Sequence, residues 1–124
     1  MKYLCLVCEG EEVLNASSRE EWSALRSETL AYVEDLTVRG HLLSTEPLQT
    51  VKSAATVRVR NGAPTVTTGP LAETTETLGG FSLVEAKDLN EALRTAGGWP
   101  SARSGSIEVR PVAQGLPEER PYQQ

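Results

Sequence analysis

The chain opens on a short apolar run from Lys2 to Cys8 that stops at Glu9, Glu11 and Glu12. A run of that length closed by an acidic turn region reads as a buried strand. Ser18-Arg19-Glu20-Glu21 then has the form of a capping box, in which a hydroxyl and a carboxylate satisfy the free N–H groups of a helix start. Trp22, Leu25, Thr29, Val33 and Leu36, with Leu30 beside them, fall on one helical face, and Gly40 supplies the stop. His41 to Ser44 reads as a short strand ended by Pro47. Strict alternation over Thr56–Arg60, followed by Asn61-Gly62, is a hairpin signal, because both turn residues must accept positive φ; the return strand is Thr65 to Thr68. The polar stretch from there to Gly79-Gly80 is expected to be a loop or a single turn. Phe81 to Ala86 is the next strand, and Asp88 caps a second helix with Leu89, Ala92, Leu93 and Ala96 on its apolar side, ended by Gly97-Gly98 and Pro100. Ile107 to Arg110 closes as a strand. The expected fold is α+β, a ferredoxin-like βαββαβ pattern with an inserted β-hairpin.

With 124 residues, 39% of them hydrophobic, the chain suits one core and excludes collagen-like, fibrous and disulfide-scaffold classes. The domain is expected over residues 1–112; residues 113–124, a polar tail with two prolines, are expected to be poorly ordered. A formal charge of -5 argues against a protein that neutralises phosphates, so neither nucleic acid nor an anionic membrane is an expected partner. No stretch approaches the roughly 20 apolar residues of a membrane span, and the acid-flanked opening does not resemble an export signal. A cytoplasmic location, with both thiols reduced, is the expectation.

Cys5-Leu6-Val7-Cys8 matches C-x-x-C but lies inside a strand, where residues three apart point to opposite faces. The pair is expected to be two inert core cysteines. His41, the single histidine, stands after a helix end and is a candidate general base that still lacks an orienting partner. One histidine and no Cys/His cluster argue against a transition-metal site, and Glu9, Glu11 and Glu12 lack EF-hand spacing, so no metal is expected. The glycines form neither G-x-G-x-x-G nor a Walker pattern, so no nucleotide cofactor is expected either. More informative are the strand charges. Val57 and Val59 share one face while Arg58 and Arg60 share the other, and Ile107 and Val109 likewise oppose Glu108 and Arg110. One sheet face should thus be apolar and the other should carry Arg and Glu, either as a solvated face or as a polar cleft between two packed sheets that suits a small anionic ligand.

Ala55-Thr56-Val57-Arg58, the segment Val66 to Glu76, Leu78-Gly79-Gly80-Phe81 and Ser106 to Val112 closely resemble the YCII-related proteins of the DGPF-domain group, as does the opening Met1 to Val7. The resemblance runs from Met1 to about Val112. It implies a ferredoxin-like fold whose sheets pair as a homodimeric α/β barrel. Members are proposed as enzymes from a pocket, and others are encoded beside extracytoplasmic-function sigma factors, which implies an accessory role in sigma-factor-linked transcription by protein contact. The chain departs from the group's pattern where Thr68 and Leu71 replace the Asp and Phe of D-G-P-F, where Thr75 replaces a Lys, and where the first helix lacks a His that other members pair with that Asp. Surviving candidates are Arg58 and Arg110 as charge partners of a small polar or anionic molecule, Gly69, Pro70, Glu73 and Glu76 in the loop at the rim, and Glu73 or His41 as a catalytic base.

Overall fold

The structure, a computed structural model, describes residues 1–116 and Glu118. Six strands and three helices follow in the order β1 (Lys2–Gly10), α1 (Glu11–Ala16), α2 (Arg19–Val38), β2 (Leu42–Pro47), β3 (Ala55–Arg60), β4 (Ala63–Thr68), β5 (Glu76–Glu85), α3 (Leu89–Gly97) and β6 (Ser106–Pro111). Short 3-10 turns sit at Val51–Ser53 and Pro100–Arg103. The main sheet is antiparallel with strand order β2-β5-β1-β6, and β3 and β4 form a separate two-stranded sheet. An α+β chain with this order and helices on one sheet face is compatible with a ferredoxin-like fold.

Local chemistry sets the element ends. Ser18 Oγ accepts from Glu21 N at 3.0 Å while Glu21 Oε1 accepts from Ser18 N at 3.2 Å, the reciprocal capping box expected of α2. Asp88 Oδ1 accepts from Glu91 N at 2.9 Å and starts α3. Beyond α2, Gly40 takes φ +77°, and the hairpin turn places Asn61 at φ +52° and Gly62 at +77°, the paired positive values that a two-residue hairpin loop requires.

Tyr3, Cys5 and Val7 point from β1 toward the helices, and Tyr3 and Cys5 with Val84, Ala86, Ala92 and Ala96 build a core under α3. A second cluster, Val7, Leu36 and Trp99, closes the C-terminal half of α2 onto the sheet. There the Tyr32 and Trp99 rings meet edge to face at 5.4 Å, and Tyr32 Oη donates to the Thr95 carbonyl at 2.5 Å.

Several elements depart from the expectations. β1 continues through Glu9 to Gly10 and leads straight into α1, a short helix with no side-chain cap and no buried residue. β5 begins at Glu76, so Gly79-Gly80 is strand rather than loop. Val7 pairs with Gly80 but Cys8 with Leu78, which leaves Gly79 as an extra residue in β5. A Cβ on Gly80 would stand 3.0 Å from the Glu46 carbonyl, so the glycine lets β2 lie close. On α3 the two alanines are buried while Leu89 and Leu93 are half exposed. Only Leu36 of the α2 apolar face is buried; Trp22 and Leu30 are each 50% exposed. The sheet face away from the helices is not simply charged: by alternation with the buried positions it carries Leu4, Leu6, Phe81 and Leu83, all half-buried, beside Glu108 and Arg110. Ala113 to Leu116 form no helix or strand, and the rest of the expected tail, residues 117 and 119–124, lies outside the described residues.

Candidate functional site

The residues of α2 that the periodicity marks as a buried face stand over a space instead. A cavity of about 600 Å³ opens between the N-terminal half of α2 and the sheet. Its roof is Trp22, Leu25, Arg26, Thr29, Leu30 and Val33; its floor is Val7, Thr45, Gly80 and Ser82. Trp99 and Ser101 close one side, while Leu14 of α1 and Leu48 after β2 close others. The space exists because side chains on the floor are small. Thr45 Oγ1 and Ser82 Oγ share a 2.8 Å hydrogen bond, which satisfies these hydroxyls against each other, and Gly80 contributes no side chain at all. The volume falls in the range of small-molecule sites, about 300–1,000 Å³.

Charge in the cavity is confined to Glu9, Glu11, Glu46 and Arg26. Glu11 Oε1 accepts from Val51 N at 3.2 Å, tying α1 to the segment after β2. Glu9 stands one residue before the end of β1, on the helix side, and Thr77 Oγ1 donates to its carbonyl at 3.4 Å. Its side-chain Oε2 is shut off from water and accepts no hydrogen bond from the described residues. Arg26 is exposed, and among the described residues no carboxylate lies within 4.0 Å of it.

A smaller, polar pocket of about 240 Å³ surrounds His41, with Tyr32, Arg39, Glu91, Arg94 and Thr95. His41 Nδ1 lies 3.0 Å from the Glu85 carbonyl and 3.8 Å from Glu91 Oε1. The carbonyl can only accept, so Nδ1 carries a proton there and the ring has the orienting partners that the sequence did not reveal. Arg39 is held by Asp35 at 2.8 Å.

The other sequence candidates line neither space. Arg58 projects from the hairpin on the face opposite Val57 and Val59, exposed and opposite Thr65. Gly69 follows β4 at φ +105°, with its N–H donating to the Ala54 carbonyl at 2.7 Å and its carbonyl accepting from Thr56 Oγ1 at 2.9 Å. Pro70 and Glu73 are exposed in the loop that follows. Arg110 sits on β6, an edge of the main sheet, and pairs with Glu108 of its own strand. Arg58 and Arg110 therefore belong to different sheets, while Arg58, Gly69 and Pro70 share the hairpin and its exit.

Cys5 and Cys8 are free thiols on opposite faces, and of the two expected core cysteines only Cys5 lies in the core, while Cys8 is half-buried on the face away from the helices because alternation along β1 turns it there. Burial pushes the Cys5 thiol pKa up. Burial, then the charges of Glu108 and Glu76, do the same at Cys8. Among the described residues no three His, Cys, Asp or Glu side chains gather as a metal set, and no helix is long and apolar enough to cross a membrane.

These features define a small α+β domain with helices on one face of an antiparallel sheet and a largely apolar cavity between the layers. The YCII-related domain matches residues 1–115, and the chain belongs to that family. It is 37% identical over 123 residues to an uncharacterised protein of Rhizobium meliloti (strain 1021), covering 98% of this chain and 99% of that protein.

Proposed function

We propose that this YCII-related protein is a small-molecule-binding domain whose site is the cavity beneath the N-terminal half of α2. The observation that carries this reading is the cavity itself: a helix face with Trp22, Leu25 and Leu30 stands over about 600 Å³ instead of a closed core. Its walls favour a ligand with an apolar body and one polar end, a revision of the purely polar or anionic ligand expected from Arg58 and Arg110. Within the family we place the chain in the DGPF group on its Val66 to Glu76 segment.

The binding unit is a cytoplasmic homodimer built as an α/β barrel. Support for the dimer comes from two apolar surfaces. Leu4, Leu6, Phe81 and Leu83 line the sheet face that no helix covers. Val57, Val59 and Val66, from 59% to 70% exposed, line one face of the hairpin, where Val57 pairs with Val66.

A thermal-shift screen of small amphiphiles tests the site. Wild type should be stabilised, since a ligand at ~100 times its Kd adds about 2.7 kcal/mol, and Thr29→Phe, which intrudes on the cavity, should lose the shift. An undiminished shift in Thr29→Phe would remove the ligand from this cavity. Sedimentation across micromolar concentrations tests the dimer, and monomer throughout would reject it.

A further inference from the structure

We infer that the ligand carries a neutral carbonyl group on its apolar body and that the Ser101 hydroxyl donates to it, an inference that rests on the cavity being the binding site. Ser101 stands in the 3-10 turn Pro100–Arg103 that follows α3, and it borders the cavity. The residue is only 6% exposed, yet its Oγ bonds none of the described residues and, unlike Glu9 Oε2, is not shut off from water. The hydroxyl of an otherwise enclosed residue therefore opens into the space that the residue lines. The other hydroxyls of the lining are engaged or lie outside. Thr29 Oγ1 donates to the Leu25 carbonyl at 2.8 Å, and Thr77 Oγ1 donates to the Glu9 carbonyl at 3.4 Å. Thr45 and Ser82 bond each other, and Thr45 Oγ1 also lies 3.1 Å from the Phe81 carbonyl. Thr50 is exposed. Among the described residues of the lining, Ser101 alone combines burial with a free hydroxyl.

The fold holds that hydroxyl in place. Trp99 is 5% exposed and packs with Val7 and Leu36, Pro100 is buried, and the Ser101 carbonyl accepts from Gly105 N at 2.8 Å. A donor fixed by its backbone binds without the ordering cost of a mobile side chain. Its surroundings select a neutral partner. An ionised head group brought among apolar walls loses hydration that a single hydroxyl does not replace, and the acids Glu9, Glu11 and Glu46 disfavour an anion in particular. Between neutral groups the count of donors decides. A ligand hydroxyl bonded to Ser101 leaves one O–H of the pair without an acceptor, whereas a carbonyl accepts the Ser101 proton and brings no donor of its own. The ligand class is a ketone or ester on an aliphatic or aromatic body, with the body under Leu25, Leu30 and Trp22 and the carbonyl oxygen at Ser101.

Acetophenone, ethylbenzene, 1-phenylethylamine and benzoate share an aromatic body and differ in the polar group, so each is titrated by calorimetry into the full-length wild type and Ser101→Ala. Acetophenone should bind wild type about threefold to tenfold more tightly than Ser101→Ala, the net scale of one hydrogen bond, while ethylbenzene binds both alike. Ser101→Ala removes a hydroxyl that bonds no described residue, so its melting temperature should match wild type. Should it fail to fold, the infrared carbonyl stretch of acetophenone bound to wild type decides: it should lie below the position in hexane, and a stretch at the hexane position would overturn the inference. Acetophenone of equal affinity in both proteins, an equal loss for acetophenone and ethylbenzene, or either charged compound as the tightest in wild type would also overturn it and leave the cavity reading intact. If none of the four binds, the cavity reading falls together with it.

Discussion

The two ends of α2 carry the same apolar period and meet opposite fates. Toward the C-terminus, Tyr32, Val33 and Leu36 close on Trp99 and Val7, and Leu36 has no exposed surface. Toward the N-terminus, Trp22, Leu25 and Leu30 hang over Gly80, Ser82 and Thr45, and Trp22 keeps half its surface. What differs is the layer beneath. Large residues opposite a helix face make a core, and small ones make a cavity, so periodicity says which side of a helix turns inward but not what it finds there.

Substitutions can break this contrast. Leu36→Ala should lower the unfolding free energy by about 2–5 kcal/mol in urea melts, because it empties a fully packed site. Tyr32→Phe removes the hydrogen bond to the Thr95 carbonyl and leaves the ring on Trp99, so a loss of about 1 kcal/mol is expected in the same melts. Leu25→Ala, on the same helix face but over the cavity, should cost less than about 1 kcal/mol while weakening ligand binding. Equal costs for Leu25→Ala and Leu36→Ala would mean that the two ends of the helix are packed alike.

The cysteines report on the two sheet faces. Cys5, under the helices, should be alkylated only when the protein opens, whereas Cys8, on the other face, should react in any folded protomer not paired through that face. Burial and the charges of Glu108 and Glu76 hold the Cys8 thiol above its ordinary pKa, so less thiolate is present near pH 8 and alkylation is slower than for a free thiol. Removing one of those charges in Glu108→Gln lowers the pKa, and the Cys8 rate at pH 8 should rise, by less than about tenfold. No rise would mean that the open face holds Cys8 by burial alone.

Much of this architecture is legible in the residues. The capping box at Ser18, the Asp88 cap, the Asn61-Gly62 turn and the alternating strands act through neighbours in sequence, and each forms where its chemistry places it. α1 escaped because Glu11, Glu12 and Asn15 give it neither a cap nor a buried face. The first residues of β5 escaped because Gly79-Gly80 is usually a turn, whereas here the pair admits a bulge and the close approach of β2. The cavity depends on residues far apart in the chain. Its available signal was the run of small residues Gly79, Gly80 and Ser82 in a strand facing a helix rich in large ones. Arg58, Gly69, Pro70, Glu73 and Arg110 were singled out by strand polarity and motif resemblance, which locate a face and a loop but not an enclosed volume.

Trp22 stands in the cavity roof half exposed, while Trp99 is already buried, so the indole emission offers a direct view of the site. Fluorescence should be recorded during a titration with a small amphiphile that stabilises the protein, in wild type and in Trp22→Phe. Occupation of the cavity should shift wild-type emission to the blue as Trp22 leaves water, and Trp22→Phe should lose most of that change while still binding. An equal shift in both proteins, or none in wild type despite calorimetric binding, would contradict a ligand beneath α2.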